Sequence, residues 1–173
     1  MTLDVKSISG YPGESIPFDF SEDFSKIAPD DTEVLMTEPV SVVGSVENIG
    51  EGVYEVTAIV KAKWLTECGR CLSKIAVPVK TRLCERFAKN PEDDDDSYIY
   101  SSEDALDLNL FVRDGLLLAL PSQVICAPSC RGFCQICGQN LNINPHCSCE
   151  GKSASDPRLS ALSALMNDDD EEV

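Results

Sequence analysis

The chain has 173 residues, 43% of them hydrophobic, which suffices for the core of one ordinary domain with a small appendage. Its apolar runs, such as Leu116–Leu120, fall well short of the roughly 20 residues that a membrane helix needs, so a soluble protein with no membrane partner is expected. With 14 basic and 30 acidic side chains the net charge is −16, which argues against indiscriminate adhesion to polyanions, because nucleic-acid binding draws on Lys and Arg to displace counterions.

That charge is uneven. Residues 1–60 carry 2 basic and 12 acidic side chains, whereas residues 61–89 carry 8 basic and 2 acidic, a local net charge of +6. Taking the chain in order, Leu3 and Val5, then Ile16, Phe18 and Phe20, predict two short strands joined by a loop through Gly10, Pro12 and Gly13. Phe24, Ile27 and Ala28 suit one helical turn that Pro29 ends, since the residue before proline is biased away from helix.

From Val40 the period-2 signal is clear. Val40, Val42 and Val46 share a side, and Asn48–Gly52 (NIGEG) supplies a turn. In the next strand Tyr54, Val56, Ala58, Val60, Ala62 and Trp64 fall on one face. Glu55, Thr57, Lys61 and Lys63 fall on the other, with Ile59 as an apolar exception. After Cys68–Cys71 a third strand places Ile75, Val77, Val79, Leu83 and Phe87 inward and Lys80, Arg82, Cys84 and Arg86 outward. Together these predict an antiparallel β-meander with one dry face.

The register has a consequence for charge. Lys61, Lys63, Lys80, Arg82 and Arg86 project from the solvent side of adjacent strands, so the basic island is expected to be a surface patch for nucleic acid or an acidic partner. The plainer alternative is a solvated sheet face. Cys84 shares this face without a cysteine neighbour and reads as a spare thiol.

Residues 90–97 (NPEDDDDS) read as an acidic linker. Asp107 can then cap a helix running to about residue 120 before Pro121, with Leu108, Phe111, Leu117 and Leu118 toward one face. Such a stripe is expected to pack on the sheet. The expected organisation is a sheet-plus-helix domain over 1–121 and a cysteine-rich segment over 122–151. Residues 152–173 follow as a short helix, opened by Asp156-Pro157, and an acidic tail, Asp168–Glu172.

Six thiols crowd into Cys126–Cys149, which reads CAPSCRGFCQICGQNLNINPHCSC. Cys134-x2-Cys137 followed by Gly138 has the form of a zinc knuckle, and Cys147-x-Cys149 can close a tetrahedron with it. Cys68-Gly69-Arg70-Cys71 is a second pair that needs two more ligands, and Cys126 and Cys130 are available to it. One or two zinc ions are therefore expected.

The N-terminus, MTLDVKSISGYPGES, lacks a basic region followed by an apolar one, so the thiols are expected to be reduced and the protein cytoplasmic. Cys130-x3-Cys134-x2-Cys137 also matches the iron–sulfur spacing of radical enzymes that use S-adenosylmethionine, yet only 36 residues follow Cys137, too few for their barrel. An iron–sulfur site or a redox dithiol remains the competing reading of the cysteines. No catalytic motif is visible. The single histidine, His146, lies among the cysteines, where a supporting group or substitute ligand is the simpler role, and a non-enzymatic protein is expected.

These pieces carry a resemblance. Cys68-Gly-Arg-Cys71-Leu72, Cys126 to Cys130, Arg131-Gly132-Phe133-Cys134, Cys137-Gly138-Gln139-Asn140-Leu141-Asn142, Cys147-Ser-Cys149 and Asp156-Pro157-Arg158-Leu159 occur in this order, as in the YceD family. The chain thus resembles the large ribosomal RNA subunit accumulation proteins of bacteria and plastids. Gln135 departs from the proline often found within the knuckle and leaves the cysteine pair intact. The resemblance implies a non-enzymatic factor in large-subunit ribosome assembly, whose client would be ribosomal RNA or a ribosomal protein. It also suggests that metal is structural, since some members lack much of the C-terminal cysteine segment. The fold expected is α+β, an antiparallel β-meander with one or two helices and a C-terminal zinc-ribbon-like cysteine segment.

Overall fold

Alternation is strongest in the sequence where the sheet is longest. The structure, a computed structural model, describes residues 1–24, 34–89, 97–100 and 105–149. Its strands are β1 (Thr2–Asp4), β2 (Ser15–Glu22), β3 (Leu35–Met36), β4 (Val40–Gly50), β5 (Val53–Glu67), β6 (Lys74–Ala88), β7 (Tyr98–Ile99) and β8 (Ala105–Asp107), followed by helix α1 (Asn109–Ala119). The fold is α+β. The described chain divides into two compact units between Cys126 and Ala127.

In the first unit a six-stranded sheet has the order β2-β4-β5-β6-β7, with β3 also pairing β5. From β2 to β6 it is the antiparallel meander that alternation predicts. Two features lie outside that expectation: β7 joins β6 in parallel, and β1 pairs β8 in a separate two-stranded ribbon. These strands are two or three residues long, too short for a readable period.

The hairpin from β4 to β5 turns through Gly50, Glu51 and Gly52, whose φ angles of 95°, 54° and 73° are all left-handed. Glycine adopts this region without a Cβ penalty, which is why NIGEG makes the turn. The register shifts between Asn48 and Gly50. There the buried Asn48 side chain donates to Ile8 O at 2.7 Å and Ser9 O at 3.2 Å, and accepts from Gly50 N at 2.9 Å.

The dry face is as alternation requires. Val40, Val42, Val46, Val56 and Val60 are fully buried, with Tyr54, Ala58, Val79 and Phe87 beside them. Helix α1 packs on β6, and Gly115 is its closest approach, since a Cβ there would collide with the Leu83 side chain.

The helix differs from expectation at its start and on its buried face. Its N-cap is Leu108, without a side-chain cap bond, because Asp107 belongs to β8; Asp107 instead accepts from Asn109 N at 3.0 Å. Phe111, Val112 and Leu116 are the buried residues, while Leu118 is 89% exposed. Leu116 lies four residues after Val112 and so shares its face. Most of the expected turn at Phe24–Pro29 and of the acidic linker, with the Asp156 helix and the acidic tail, lies outside the described residues.

Candidate metal centres and basic sheet face

The β5–β6 connection is a tight loop built around two cysteines. Cys68 N donates to Ser73 O at 3.0 Å and Leu72 N donates to Cys68 O at 2.9 Å, with Leu72 at φ 54°. A long-range bond brings a third cysteine to this loop: Gly69 N donates to Val124 O at 2.8 Å, and Cys126 N donates to Cys68 Sγ at 3.3 Å. Cys71 Sγ and Cys126 Sγ are then 3.6 Å apart. The thiols of Cys68, Cys71, Cys126 and Cys130 all lie within 4.8 Å of one another.

The electrostatics of this loop favour thiolates. Burial alone would raise the Cys68 thiol, but the backbone N–H groups of Arg70, Cys126 and Cys71 outweigh it and bring it from 9.0 to about 6. Cys71 is lowered as well, chiefly by hydrogen bonding with Ser73. Cys68 and Cys71 are 0% and 3% exposed, so charge developed there is shielded from water.

The second group sits in the C-terminal unit. Phe133 and Asn140 form an antiparallel bridge around the knuckle, Cys134 N donates to Gln139 O at 2.8 Å, and Gly138 N donates to Cys134 O at 2.9 Å. Gly138 has φ 72°, the left-handed turn that glycine allows. Across from it Cys147 Sγ donates to Cys134 Sγ at 3.5 Å, and Cys134, Cys137, Cys147 and Cys149 also lie mutually within 4.8 Å.

Here the surroundings favour one thiolate and oppose two others. Backbone N–H groups of Cys137 and Ile136, with the Cys147 hydrogen bond, lower Cys134 to about 7. The Cys149 backbone favours a Cys147 thiolate, but the hydrogen bond to Cys134, burial and neighbouring thiolates leave Cys147 raised. Cys149 is pushed up to about 12, first by its hydrogen bond with Cys137 and then by burial and its neighbours' charge. A cation between the sulfurs would remove this conflict.

Both quartets suit a tetrahedral thiophilic ion. Sulfurs about 2.3 Å from zinc are about 3.75 Å apart in a tetrahedron, close to the 3.6 Å of Cys71 and Cys126 and the 3.5 Å of Cys134 and Cys147. None of the nine cysteines forms a disulfide. Cys84 belongs to neither group: it is exposed on the outer sheet face, where the Thr57 hydroxyl donates to its sulfur at 3.4 Å. His146 is exposed and outside both groups.

The basic residues fall on that same outer face. The β5–β6 register sets Lys61 directly opposite Lys80, Ile59 opposite Arg82, Lys63 opposite Pro78 and Glu55 opposite Arg86. Lys61, Lys80, Arg82 and Arg86 are exposed, and none of the four makes an ion pair among the described residues. Lys63 is half-buried and bonds Glu38 at 2.8 Å. Sequence reasoning missed this partner because Glu38 precedes the strand that carries the period-2 signal.

Comparison with known proteins adds a family. The family described as "Large ribosomal RNA subunit accumulation protein YceD" matches residues 56–166. An uncharacterised protein of Mycobacterium tuberculosis (strain ATCC 25618 / H37Rv) is 29% identical over 155 residues, covering 84% of this chain and 72% of the relative. The uncharacterised protein YlbN of Bacillus subtilis is 26% identical over 175 residues, covering 99% of each chain. The chloroplastic "Large ribosomal RNA subunit accumulation protein YCED homolog 1" of Zea mays is 30% identical over 60 residues, covering 35% of this chain and 20% of the relative. No solved structure matches the chain. No described helix is long and apolar enough to cross a membrane.

Proposed function

The chain belongs to the YceD family of large ribosomal RNA subunit accumulation proteins, and from that premise we propose that it is a non-enzymatic, cytoplasmic factor in large-subunit ribosome assembly that holds RNA on the basic face of its sheet. The observation that carries the RNA contact is the register of Lys61 against Lys80. Like charges directly opposed across strands destabilise a sheet. Arg82 follows two residues after Lys80 on the same face, which concentrates the cost. Phosphates laid over these side chains offset the repulsion and release counterions.

Zinc is the ion proposed for both cysteine quartets, in keeping with all-thiolate donor sets and sulfur separations that suit tetrahedral zinc. Zinc would supply no reaction there; it would neutralise the thiolates and pin the loops that carry them. The C-terminal unit then reads as zinc-ribbon-like, its knuckle held by the Phe133–Asn140 bridge. Purified protein should be colourless and contain one or two zinc ions, whereas absorbance near 400 nm would indicate an iron–sulfur cluster, as a rough guide from cluster chemistry.

The test of the RNA contact is charge reversal. Replacing Lys61, Lys63, Lys80 and Arg82 with Glu should abolish RNA binding and reduce large-subunit ribosomal RNA in cells. If both survive, the basic face is not the working surface. If RNA binding is unchanged, and neutralising the acidic segments 92–96 and 168–172 releases a basic ribosomal protein instead, the client is protein.

A further inference from the structure

The outer face carries cations without rings, and that combination selects among RNA forms. Every aromatic of the long strands, Phe18, Phe20, Tyr54, Trp64 and Phe87, packs in or against the hydrophobic core on the other face. Single-stranded RNA is held by stacking unpaired bases on aromatic or guanidinium planes, each stacked base contributing about 1–3 kcal/mol. The described strands present no aromatic ring on the side where Lys61 and Lys80 project, and the guanidinium planes there are those of Arg82 and of Arg86, which stands opposite Glu55. Base-paired RNA is instead held through its phosphates and 2′-hydroxyls, with little reading of base edges.

The spacing of the cations suits a dense array of phosphates. Lys80 and Arg82 are two residues apart, so their Cα atoms are about 6.6 Å apart along β6, and Lys61 stands on the adjacent strand about 4.8 Å away. Ser21 and Ser41 extend the row of Lys61 and Lys80, and the exposed Ile59 lies between Val43 and Arg82 in the next row, which ends on β2 at the exposed Asp19. A duplex carries roughly twice the charge per length of one of its strands, which rewards cations clustered this closely. The face is also bounded: Glu47 stands directly opposite Glu55 toward the β4–β5 hairpin, and Glu55 in turn faces Arg86. Phosphates are therefore held at the Lys61–Lys80 end and repelled at the hairpin end.

We infer that the ligand of this face is the sugar–phosphate backbone of base-paired RNA, not unpaired bases; the inference rests on the RNA reading above. With Lys63 engaged by Glu38, the cations of this face without an ion pair among the described residues are Lys61, Lys80, Arg82 and Arg86. Three to four displaced counterion sites give a logarithmic salt slope of about −2.7 to −3.6. Affinity should then fall about 40- to 150-fold between 50 and 200 mM salt.

Fluorescence anisotropy on the whole chain with two labelled RNAs tests this: a hairpin stem of about 16 bp, the span that double-stranded RNA-binding domains cover, and an unstructured oligouridine of equal charge. The hairpin should bind at least about five-fold more tightly, with the salt slope above. Lys61→Ala/Lys80→Ala, which leaves the core untouched, should lower its affinity at least about ten-fold, the combined loss of two phosphate contacts. Oligouridine binding as tightly as the hairpin, with the same loss in the double variant, would overturn the preference for paired RNA and leave the RNA contact standing. Binding of neither RNA at 50 mM salt would overturn both.

Discussion

Lys61→Glu should make the protein more stable and a weaker binder of RNA at once. In the wild-type sheet Lys61 and Lys80 are cross-strand neighbours on the exposed face, and neither has an ion-pair partner among the described residues. A directly opposed pair of unlike charges contributes about 0.2–1 kcal/mol, and a like pair costs a similar amount. Reversing one charge therefore swings the pair by roughly 0.5–1.5 kcal/mol, nearer the lower figure because both side chains are solvated. For a unit of 126 residues this corresponds to a rise in Tm of about 2–6 °C. Calorimetry at low ionic strength reads the gain. Most of it should vanish in 1 M salt, where the Debye length is about 3 Å. Adding Lys80→Glu restores a like pair, so the double variant should fall back to wild-type stability, and the cycle isolates the pairwise energy. A Lys61→Glu protein no more stable than wild type at low salt, or a gain that persists when Lys80 is Ala, would refute the reasoning. Stability given up at a surface pair in exchange for a ligand is the pattern expected of a binding site.

Two further outcomes follow from the site and the core. Thiols bind metal only after losing a proton, so a raised thiol yields more readily to acid and a lowered one less. As pH falls, the quartet with raised Cys147 and Cys149 should release zinc before the quartet in which Cys68 is lowered to about 6. A metallochromic indicator should thus show two steps, with Cys137→Ser removing the higher-pH step and Cys71→Ser the lower; one step, or the reverse order, would contradict the assignment. On the helix, Leu116→Ala should cost about 2–5 kcal/mol in chemical denaturation, while Leu118→Ser should lie within about 0.5 kcal/mol of wild type. Equal losses would mean that the exposed Leu118 is covered in solution.

Much was legible in local pattern. The strands from β4 to β6 could be read because a half-buried strand repeats every two residues, and the same period carried Lys61, Lys63, Lys80, Arg82 and Arg86 to the outer face. The cysteine pairs were legible because thiols two or three residues apart can converge on one ion, and the ordered motifs pointed to the family that the comparison shows. Helix α1 was legible as an element but not in its buried face. Leucines at 116, 117 and 118 offer several stripes; Phe111 against Phe87 and Gly115 against Leu83 set how the helix meets β6, and with that seating Leu116 is buried and Leu118 is left in water.

What only the tertiary structure decided is what lies far apart in the chain. The ribbon of β1 with β8 joins Leu3 to Leu106, and neither short strand has enough residues to announce a partner. Cys126 meets Cys68 across 58 residues through the Gly69–Val124 bond, a contact that spacing within either pair cannot specify. Lys61 and Lys80 are 19 residues apart in sequence and become direct neighbours only through the register of β5 on β6. A periodic pattern fixes which face a side chain takes, whereas its neighbour on that face depends on where the strands close their hydrogen bonds, and that is settled by packing of the whole sheet.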